Sequence, residues 1–219
     1  MHLGIFSYNV AYGARPDELA RACEERGFES FWVGEHTRIP ASRQTPYPGG
    51  DPLPRPYYHM ADPFVSLMAA AAATTTIKLG TGVCLVVEHD PIVLAKTVAT
   101  LDWLSHGRVL LGIGGGWNRE EMEHHGTPFQ RRWQVLRERV EAMKAIWTQE
   151  EASYAGEFVT FERIISNPSP CNNPIRRFCL AVRRPRGEPV SCATATAGYP
   201  LMSFWTTSPR LWPTSAAKR

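Results

Sequence analysis

The side chains best suited to chemistry follow short apolar segments that are typical of β-strands. Glu35 and His36 come directly after one such segment, Ser30–Gly34. A histidine beside a carboxylate can be tuned to take up or release a proton, or can donate a hydrogen bond to a cofactor oxygen. His36 is therefore the best candidate for a catalytic acid–base residue. A loop histidine satisfied by backbone groups would explain the same position, and the residues alone leave both interpretations open.

A second candidate segment is the glycine-rich stretch GIGGGWN at 112–118. It lacks the Lys-Ser/Thr pair of a phosphate-binding Walker loop, and a dinucleotide fingerprint normally follows the first strand rather than the fourth. Glycines here would let a flat ring lie against the backbone. The chain contains no G-x-S-x-G segment, so a serine hydrolase is not expected.

Two histidine-containing clusters offer weaker signals. Glu88-His89-Asp90 has metal-ligand residue types, but Asp90 followed by Pro91 is better explained as a helix start, and no spaced partner set accompanies it. We therefore expect no metal site. His124 and His125 belong to a polar helical segment and are expected to be solvated.

The elements that position these residues alternate between strand and helix signals. Because the strands are almost continuously apolar, we expect a parallel sheet covered by helices, with its chemistry beyond the carboxyl ends of the strands. Either an eight-fold barrel or a doubly wound sheet could begin in this way. The loop 35–61 holds six of the chain's 18 prolines, and loops of this length are usually functional. The predicted strands are 3–8, 30–34, 77–87 and 108–114; helices start at Pro16, Pro63 and Pro91, an amphipathic helix covers 133–147, and a hairpin covers 154–162.

The proportions of charged residues and of cysteines change at about Pro170. Residues 1–170 hold 16 Lys+Arg against 20 Asp+Glu, whereas residues 171–219 hold 8 against 1. This basic tail is aromatic-rich with a single lysine, which argues against a nucleic-acid-binding arm. The two cysteines before residue 170 fit a reducing cytoplasm, with no disulfide framework. The longest apolar stretch, 64–77, is too short to span a membrane, so no membrane partner is expected.

Several segments together resemble one family. These are LDWLSHGRVLLGIGGGWNREEMEHHG, the preceding IKLGTGVCLVVEHDPIVLAKTVATLD, and FWVGEHTRIP after the second predicted strand. They resemble the luciferase-like monooxygenase superfamily, and within it the branch that uses the deazaflavin cofactor F420, with FMN as the alternative. The resemblance covers about residues 1–170.

The resemblance implies a TIM-type (β/α)8 barrel and hydride transfer between F420 and a small organic substrate, or oxygen activation with FMN. It implies that His36 is the catalytic residue on the substrate side of the ring, and that the neighbouring Glu35 contacts the cofactor. Gly82, Val83 and Cys84 would support the other face of the ring. Further cofactor contacts would come from the fourth strand end, at Gly114, Gly115, Trp117 and Asn118.

After Pro170 the pattern of the family stops. Segments like P-x-x-P-P-x-L-L-G-G and D-G-W-L-P are expected there, and neither is present. Codons read in a shifted frame permit VQQPDPPVLLGG over 170–182 and VVRYGDGWLP over 191–200. We therefore hypothesise a frameshift near residues 169–171, with a divergent tail as the alternative; the gene's nucleotide sequence decides between them.

On this hypothesis, residues 1–170 form the first four βα units of an incomplete barrel, and 171–219 an aberrant, disordered tail. Activity would be impaired, and a non-catalytic half-barrel remnant is the contrasting interpretation. Unpaired strand edges would favour a homodimer.

Overall fold

The computed structural model describes residues 3–171 and the backbone of 178–182, 191–194 and 202–203. Four parallel strands pair in chain order: β1 (Gly4–Ser7), β2 (Ser30–Val33), β3 (Lys78–Thr81) and β4 (Val109–Ile113). In a doubly wound sheet the strand order reverses at a switch point, whereas here the strands follow one another in chain order, as they do in a barrel. The helices are α1 (Pro16–Glu25), α2 (Pro63–Ala73), α3 (Pro91–Leu104), α4 (Arg119–His124) and α5 (Arg132–Thr148).

The predicted helix starts at Pro16, Pro63 and Pro91 are confirmed. Side-chain caps stabilise the last two. Asp62 Oδ1 accepts a hydrogen bond from the Val65 amide at 2.8 Å, and Asp90 Oδ1 accepts from the Ile92 and Val93 amides, both at 2.9 Å. In each case a proline stands at the first helical position, where no amide hydrogen is needed. These caps fix α2 and α3 immediately after the loops that carry the candidate site.

Trp32 fills the inner side of the sheet. Its ring is buried, and its Nε1 donates to Ser30 Oγ at 2.8 Å. A Cβ at Gly80 would lie 2.2 Å from this ring, and one at Gly4 would lie 2.9 Å from Trp32 Nε1, so only glycine leaves room for the indole. The neighbouring Phe31 and Val33 point the other way, into the core shared with the helices. The lower interior is therefore closed, and a ligand could enter only above it, at the carboxyl ends of the strands.

The third strand is shorter than the predicted 77–87. Regular pairing ends at Thr81, a cis peptide joins Gly82 to Val83, and Cys84 forms one isolated bridge with Ile113. The Gly82 amide still donates to Val33 O at 2.7 Å, whereas the Cys84 amide donates to Gly112 O, also at 2.7 Å. The backbone thus bulges between its two neighbours before a 3-10 turn at Val86–Glu88.

Short strands also lie in the segment where the sequence predicted none. After the predicted hairpin, which is confirmed as β5 (Ala152–Ala155) and β6 (Thr160–Ile164), β7 (Phe178–Val182) pairs parallel with β4. Antiparallel strands β8 (Ser191–Thr194) and β9 (Met202–Ser203) follow. The edge of β4, which an incomplete barrel was expected to leave unpaired, is therefore covered, whereas β1 stays at the edge of the sheet among the described strands. The division at residue 170 and the frameshift stay predictions, and most of 171–219 lies outside the described residues.

Among the described residues, no helix combines the length and apolarity needed to cross a membrane.

Arg108 connects the amino-terminal end of β4 to the ends of two helices. Its buried guanidinium donates to Ala71 O at 2.9 Å, to Thr74 Oγ1 at 2.9 Å and to Ser105 O at 2.8 Å. Further bonds reach Thr74 O and Ile77 O. This arrangement satisfies carbonyls at the end of α2 that the helix itself leaves unpaired. Arg108, the last residue of the SHGR segment at 105–108, therefore joins α2 and α3 to β4.

We predict that Arg108→Lys lowers the free energy of unfolding by about 2–4 kcal/mol, because an ammonium cannot reach these carbonyls together and some would remain buried and unpaired. Urea denaturation would measure the change. Arg137→Lys, on the exposed side of α5, is the matched control and should change stability by less than about 0.5 kcal/mol. Equal effects of the two substitutions would contradict this role of Arg108.

Candidate functional site

His36 lies at the carboxyl end of β2 and is held on both ring nitrogens. Its Nδ1 is 2.7 Å from Glu121 Oε2, and Trp117 Nε1 donates to its Nε2 at 3.3 Å. His36 and Glu121 are both buried. Because the indole N–H can only donate, Nε2 must be the accepting nitrogen and Nδ1 must carry the proton that Glu121 accepts. The structure therefore defines the tautomer of the candidate catalytic residue.

Aromatic side chains from the long loop surround this histidine. The Tyr57 ring centroid is 5.2 Å from that of His36, and Tyr47 contacts both Tyr57, at 5.1 Å, and Trp117, at 5.5 Å. The loop is tied to α4 through Glu120, whose carboxylate accepts from the Gln44 and Thr45 amides and from Thr45 Oγ1. The loop 35–61 therefore covers the His36 ring.

Asn118 serves as the N-cap of α4 and is buried. Its Oδ1 accepts from the Glu121 amide at 3.3 Å, while its Nδ2 has no hydrogen-bond partner among the described residues. Since a buried amide without a partner costs free energy, Nδ2 is a free donor for a ligand. The cap also sets the direction of Glu121, three residues into the helix.

The side chain of Glu35, the predicted partner of His36, points away from it. Glu35 Oε2 accepts from the Leu85 amide at 2.5 Å, and Oε1 is 2.7 Å from His89 Nε2. Cys84 is fully buried against the same carboxylate, and burial raises the pKa of its thiol. These three side chains bring donor atoms within 4.8 Å of one another, but their mutual hydrogen bonds account for that convergence. Through its hydrogen bonds with the Leu85 amide and His89, Glu35 thus stabilises the segment after the bulge.

Glu88, the last residue of the 3-10 turn at Val86–Glu88, is an unusual buried acid. Burial, and then the charges of Glu121 and Glu35, raise its pKa to about 9. His125 was expected to be solvated, and this expectation was wrong: its Nε2 lies 3.7 Å from Glu88 Oε2 and 2.8 Å from Arg38 Nη1. His124, its neighbour, is exposed as expected. No local sequence pattern indicates that the loop brings Arg38 to this end of α4.

Glycines form a ledge above Trp32. A Cβ at Gly34 would lie 3.2 Å from the Phe6 ring, one at Gly82 would lie 3.3 Å from the same ring, and one at Gly114 would lie 2.7 Å from Val83. Phe6 itself is 39% exposed. Gly115 packs against a different residue, because a Cβ added at Gly115 would lie 2.8 Å from the Trp133 ring. In this ledge of Gly34, Gly82, Val83 and Gly114, the missing side chains let the Phe6 ring and the Val83 side chain pack directly against the backbone.

Comparisons with known proteins agree with this geometry. The family model described as luciferase-like monooxygenase matches residues 5–202. The chain belongs to the luciferase-like monooxygenase family. An uncharacterized protein of Mycobacterium tuberculosis, Rv0953c, is 51% identical over 173 residues, 78% of this chain and 61% of that protein. The solved monooxygenase RslO1 from Streptomyces bottropensis has a TM-score of 0.68 at 26% identity, covering 83% of this chain and 53% of that one.

Relatives with different cofactors are similarly distant. An F420-dependent glucose-6-phosphate dehydrogenase of Amycolatopsis mediterranei is 30% identical over 64% of this chain and 40% of its own length. The oxygenase component of a flavin-dependent trigonelline monooxygenase from Acinetobacter baylyi is also 30% identical, over 78% of this chain and 43% of its own length. The family therefore includes both cofactor types. The chain spans roughly half of the length of these luciferase-like relatives.

Sequence reasoning identified His36 and the glycines but missed Glu121 and the loop tyrosines. Asn118 and Glu121 have the spacing of a capping pair, which could have placed Glu121 in the first turn of a helix. Its contact with His36 spans 85 positions in the chain and follows from no local pattern. Cofactor contacts by Glu35, Cys84 and the other predicted residues stay predictions.

We predict that the free energy of unfolding falls as pH rises from about 5 to about 9, because the folded chain keeps a proton on Glu88 that the unfolded chain has released. Glu88→Gln, which imitates the protonated acid, should remove part of this fall, on the order of a few kcal/mol. Denaturation curves across this pH range would show it. Glu162→Gln, at an exposed position of β6, is the control. A fall in Glu88→Gln as steep as in the wild type would contradict the prediction.

Proposed function

We propose that the barrel to which these residues belong is an F420-dependent oxidoreductase that acts on a small organic substrate. The observation that carries the proposal is the buried position of His36 at the carboxyl end of β2, where Glu121 and Trp117 fix its tautomer. A reduced deazaflavin supplies a hydride when bound, and the protein positions the ring and moves the accompanying proton.

The ledge would support the ring. Val83 packs against Gly114, and the Phe6 ring packs against Gly82 and presents a partly exposed aromatic surface there. Asn118 Nδ2 offers an unused donor for a polar atom of the cofactor or substrate. Substitution of Gly114 by any larger residue would push against Val83 and deform the ledge.

His36 would exchange the proton at Nε2. This atom accepts only from the indole of Trp117, at the long distance of 3.3 Å, so a substrate hydroxyl could displace that contact. Glu121 would stabilise the imidazolium that results, in the way that a buried carboxylate supports a histidine base. The half-buried Tyr57 and Trp117 would limit the access of water.

The alternative is an FMN-dependent monooxygenase, which the trigonelline enzyme among the relatives favours. A flavin ring would use the same ledge, but its chemistry requires access for oxygen. A non-catalytic remnant is the contrasting class. The unpaired edge of β1 supports association into a homodimer, which size-exclusion chromatography would test.

We predict that the 219-residue chain binds reduced F420 more weakly than micromolar, because half of the ring's surroundings would come from later strands. A chimera of residues 1–170 with the carboxyl-terminal half of the mycobacterial relative should bind F420 tightly and FMN at least about tenfold more weakly, which corresponds to about 1.4 kcal/mol. Fluorescence titration would measure both. Preference of the chimera for FMN would favour the alternative, and binding of neither cofactor would favour the remnant.

In the chimera, His36→Asn should leave F420 binding within about threefold and lower turnover by roughly 10²–10⁴-fold, the usual contribution of a general acid or base. His124→Asn, at an exposed position of α4, is the matched control and should change neither quantity. Unchanged turnover in His36→Asn would contradict the assigned role.

A further inference from the structure

A second cavity lies apart from the residues that surround His36. It is a cleft of about 380 Å³ between the start of α3, the end of α4, α5 and the β5–β6 hairpin. Small-molecule sites have volumes of roughly 300–1,000 Å³, and the cleft falls within this range. Among the described residues, neither His36 nor Trp117 nor a glycine of the ledge lines it. The cleft is therefore a candidate site of its own.

One side of the cleft is apolar. Phe158, Val159 and Phe161 line it from the hairpin, and Pro91 and Ile92 line it from the start of α3. The Ile92 side chain is 37% exposed, so part of its surface is open to a ligand. The apolar body of a small molecule would lose contact with water between these two walls.

The other side of the cleft contains two buried atoms that have no hydrogen-bond partner among the described residues, Glu88 Oε2 and Arg139 Nε. Glu88 is only 8% exposed. Arg139 Nη1 donates to Val86 O at 3.1 Å, which places the guanidinium beside the 3-10 turn that ends at Glu88. Because a buried polar atom without a partner costs free energy, both atoms are suited to bind a ligand.

The chemistry of these two groups defines the ligand. Burial, more than any neighbouring charge, raises the pKa of Glu88 to about 9, so its carboxyl group carries a proton at neutral pH and can donate a hydrogen bond. Arg139 donates as well, and a guanidinium keeps its positive charge in a protein. Two donors, one of them cationic, are complementary to an acceptor with a negative charge. A carboxylate provides that charge on two oxygens.

The titratable neighbours in the cleft are already engaged. His125 Nε2 accepts from Arg38 Nη1 at 2.8 Å, and His89 Nε2 lies 2.7 Å from Glu35 Oε1. Asp90 carries the one charge of the cleft that opposes an anion, but its side chain caps α3 and the residue is exposed, so solvent screens it.

We propose that this cleft binds a small organic acid, with its carboxylate on Arg139 and Glu88 and its apolar body between the hairpin and the start of α3. The ligand would give both unpartnered atoms a hydrogen bond. An aromatic ring is a suitable body, because two phenylalanines belong to the apolar wall. The site is separate from the one that would hold F420, and its occupation does not depend on the proposed function.

Benzoate is the probe for this site, and benzamide is its uncharged counterpart with the same ring. NMR titration of the ¹⁵N-labelled 219-residue chain, without any cofactor, would follow single amides. Benzoate should shift the amides of Ile92, Val159 and Phe161, leave those of α1 unchanged, and bind with a dissociation constant below about 1 mM. Benzamide should bind at least about tenfold more weakly, because it forms no ion pair with Arg139.

Arg139→Gln should weaken benzoate binding by at least about tenfold, which is the loss expected for a hydrogen bond between charged groups. Arg137→Gln removes the same charge from the exposed side of α5 and is the matched control. It should change the dissociation constant by less than about twofold, since solvent screens a charge at that distance. Equal weakening by the two substitutions would overturn the assignment of Arg139.

Ile92→Ala covers the case in which Arg139→Gln does not fold. It should weaken benzoate binding by about fourfold, the factor for one buried methylene group. Val93→Ala, at the next position of α3, is the control, because Val93 is 64% exposed and does not line the cleft. Benzoate that leaves the amides of the cleft unshifted at about 10 mM, or that binds no more tightly than benzamide, would overturn the proposal.

Discussion

Burial of three carboxyl groups at the carboxyl ends of the strands is the constraint on which the site depends. Glu35, Glu88 and Glu121 lie at 5%, 8% and 0% exposure, within a region that also excludes water from His36. Burying a charge is costly unless it is paired, hydrogen-bonded or neutralised by a proton. The structure uses all three solutions: Glu35 accepts from Leu85 and is paired with His89, Glu121 accepts from His36, and Glu88 is held neutral.

These solutions also explain the shape around the site. Acceptance by Glu35 orders the backbone at Leu85 just after the bulge at 82–83, which keeps the ledge glycines at the top of the sheet. Below them, Trp32 occupies the interior that its neighbouring glycines leave open. Site chemistry is therefore confined to one layer, between a closed aromatic interior and the loop that carries Tyr47 and Tyr57. The same layer is where barrels of this kind place their ligands.

Much of the framework could be predicted from local patterns. Proline and aspartate at helix starts, apolar strand segments and the alternating pattern of α5 indicated the order of the elements, and the family resemblance directed attention to His36, Gly82, Val83 and Gly114. Long-range pairing escaped prediction, because Glu121 with His36 and Arg38 with His125 join positions more than 80 residues apart. The early end of β3 at Thr81 escaped as well, since a continuous apolar run does not reveal where pairing stops. The strands after residue 170 had no periodic signal.

The buried acids order the carboxyl-end layer of this chain, and amide hydrogen exchange at single-residue resolution measures that order. Strong protection is expected for the Leu85 amide, which donates to Glu35, and for the Cys84 amide, which donates to Gly112. Selective loss of Leu85 protection in Glu35→Ala, with α1 amides unaffected, would link that order to the carboxylate. Exchange of both amides in the wild-type chain at the rate of an unprotected loop would contradict the account.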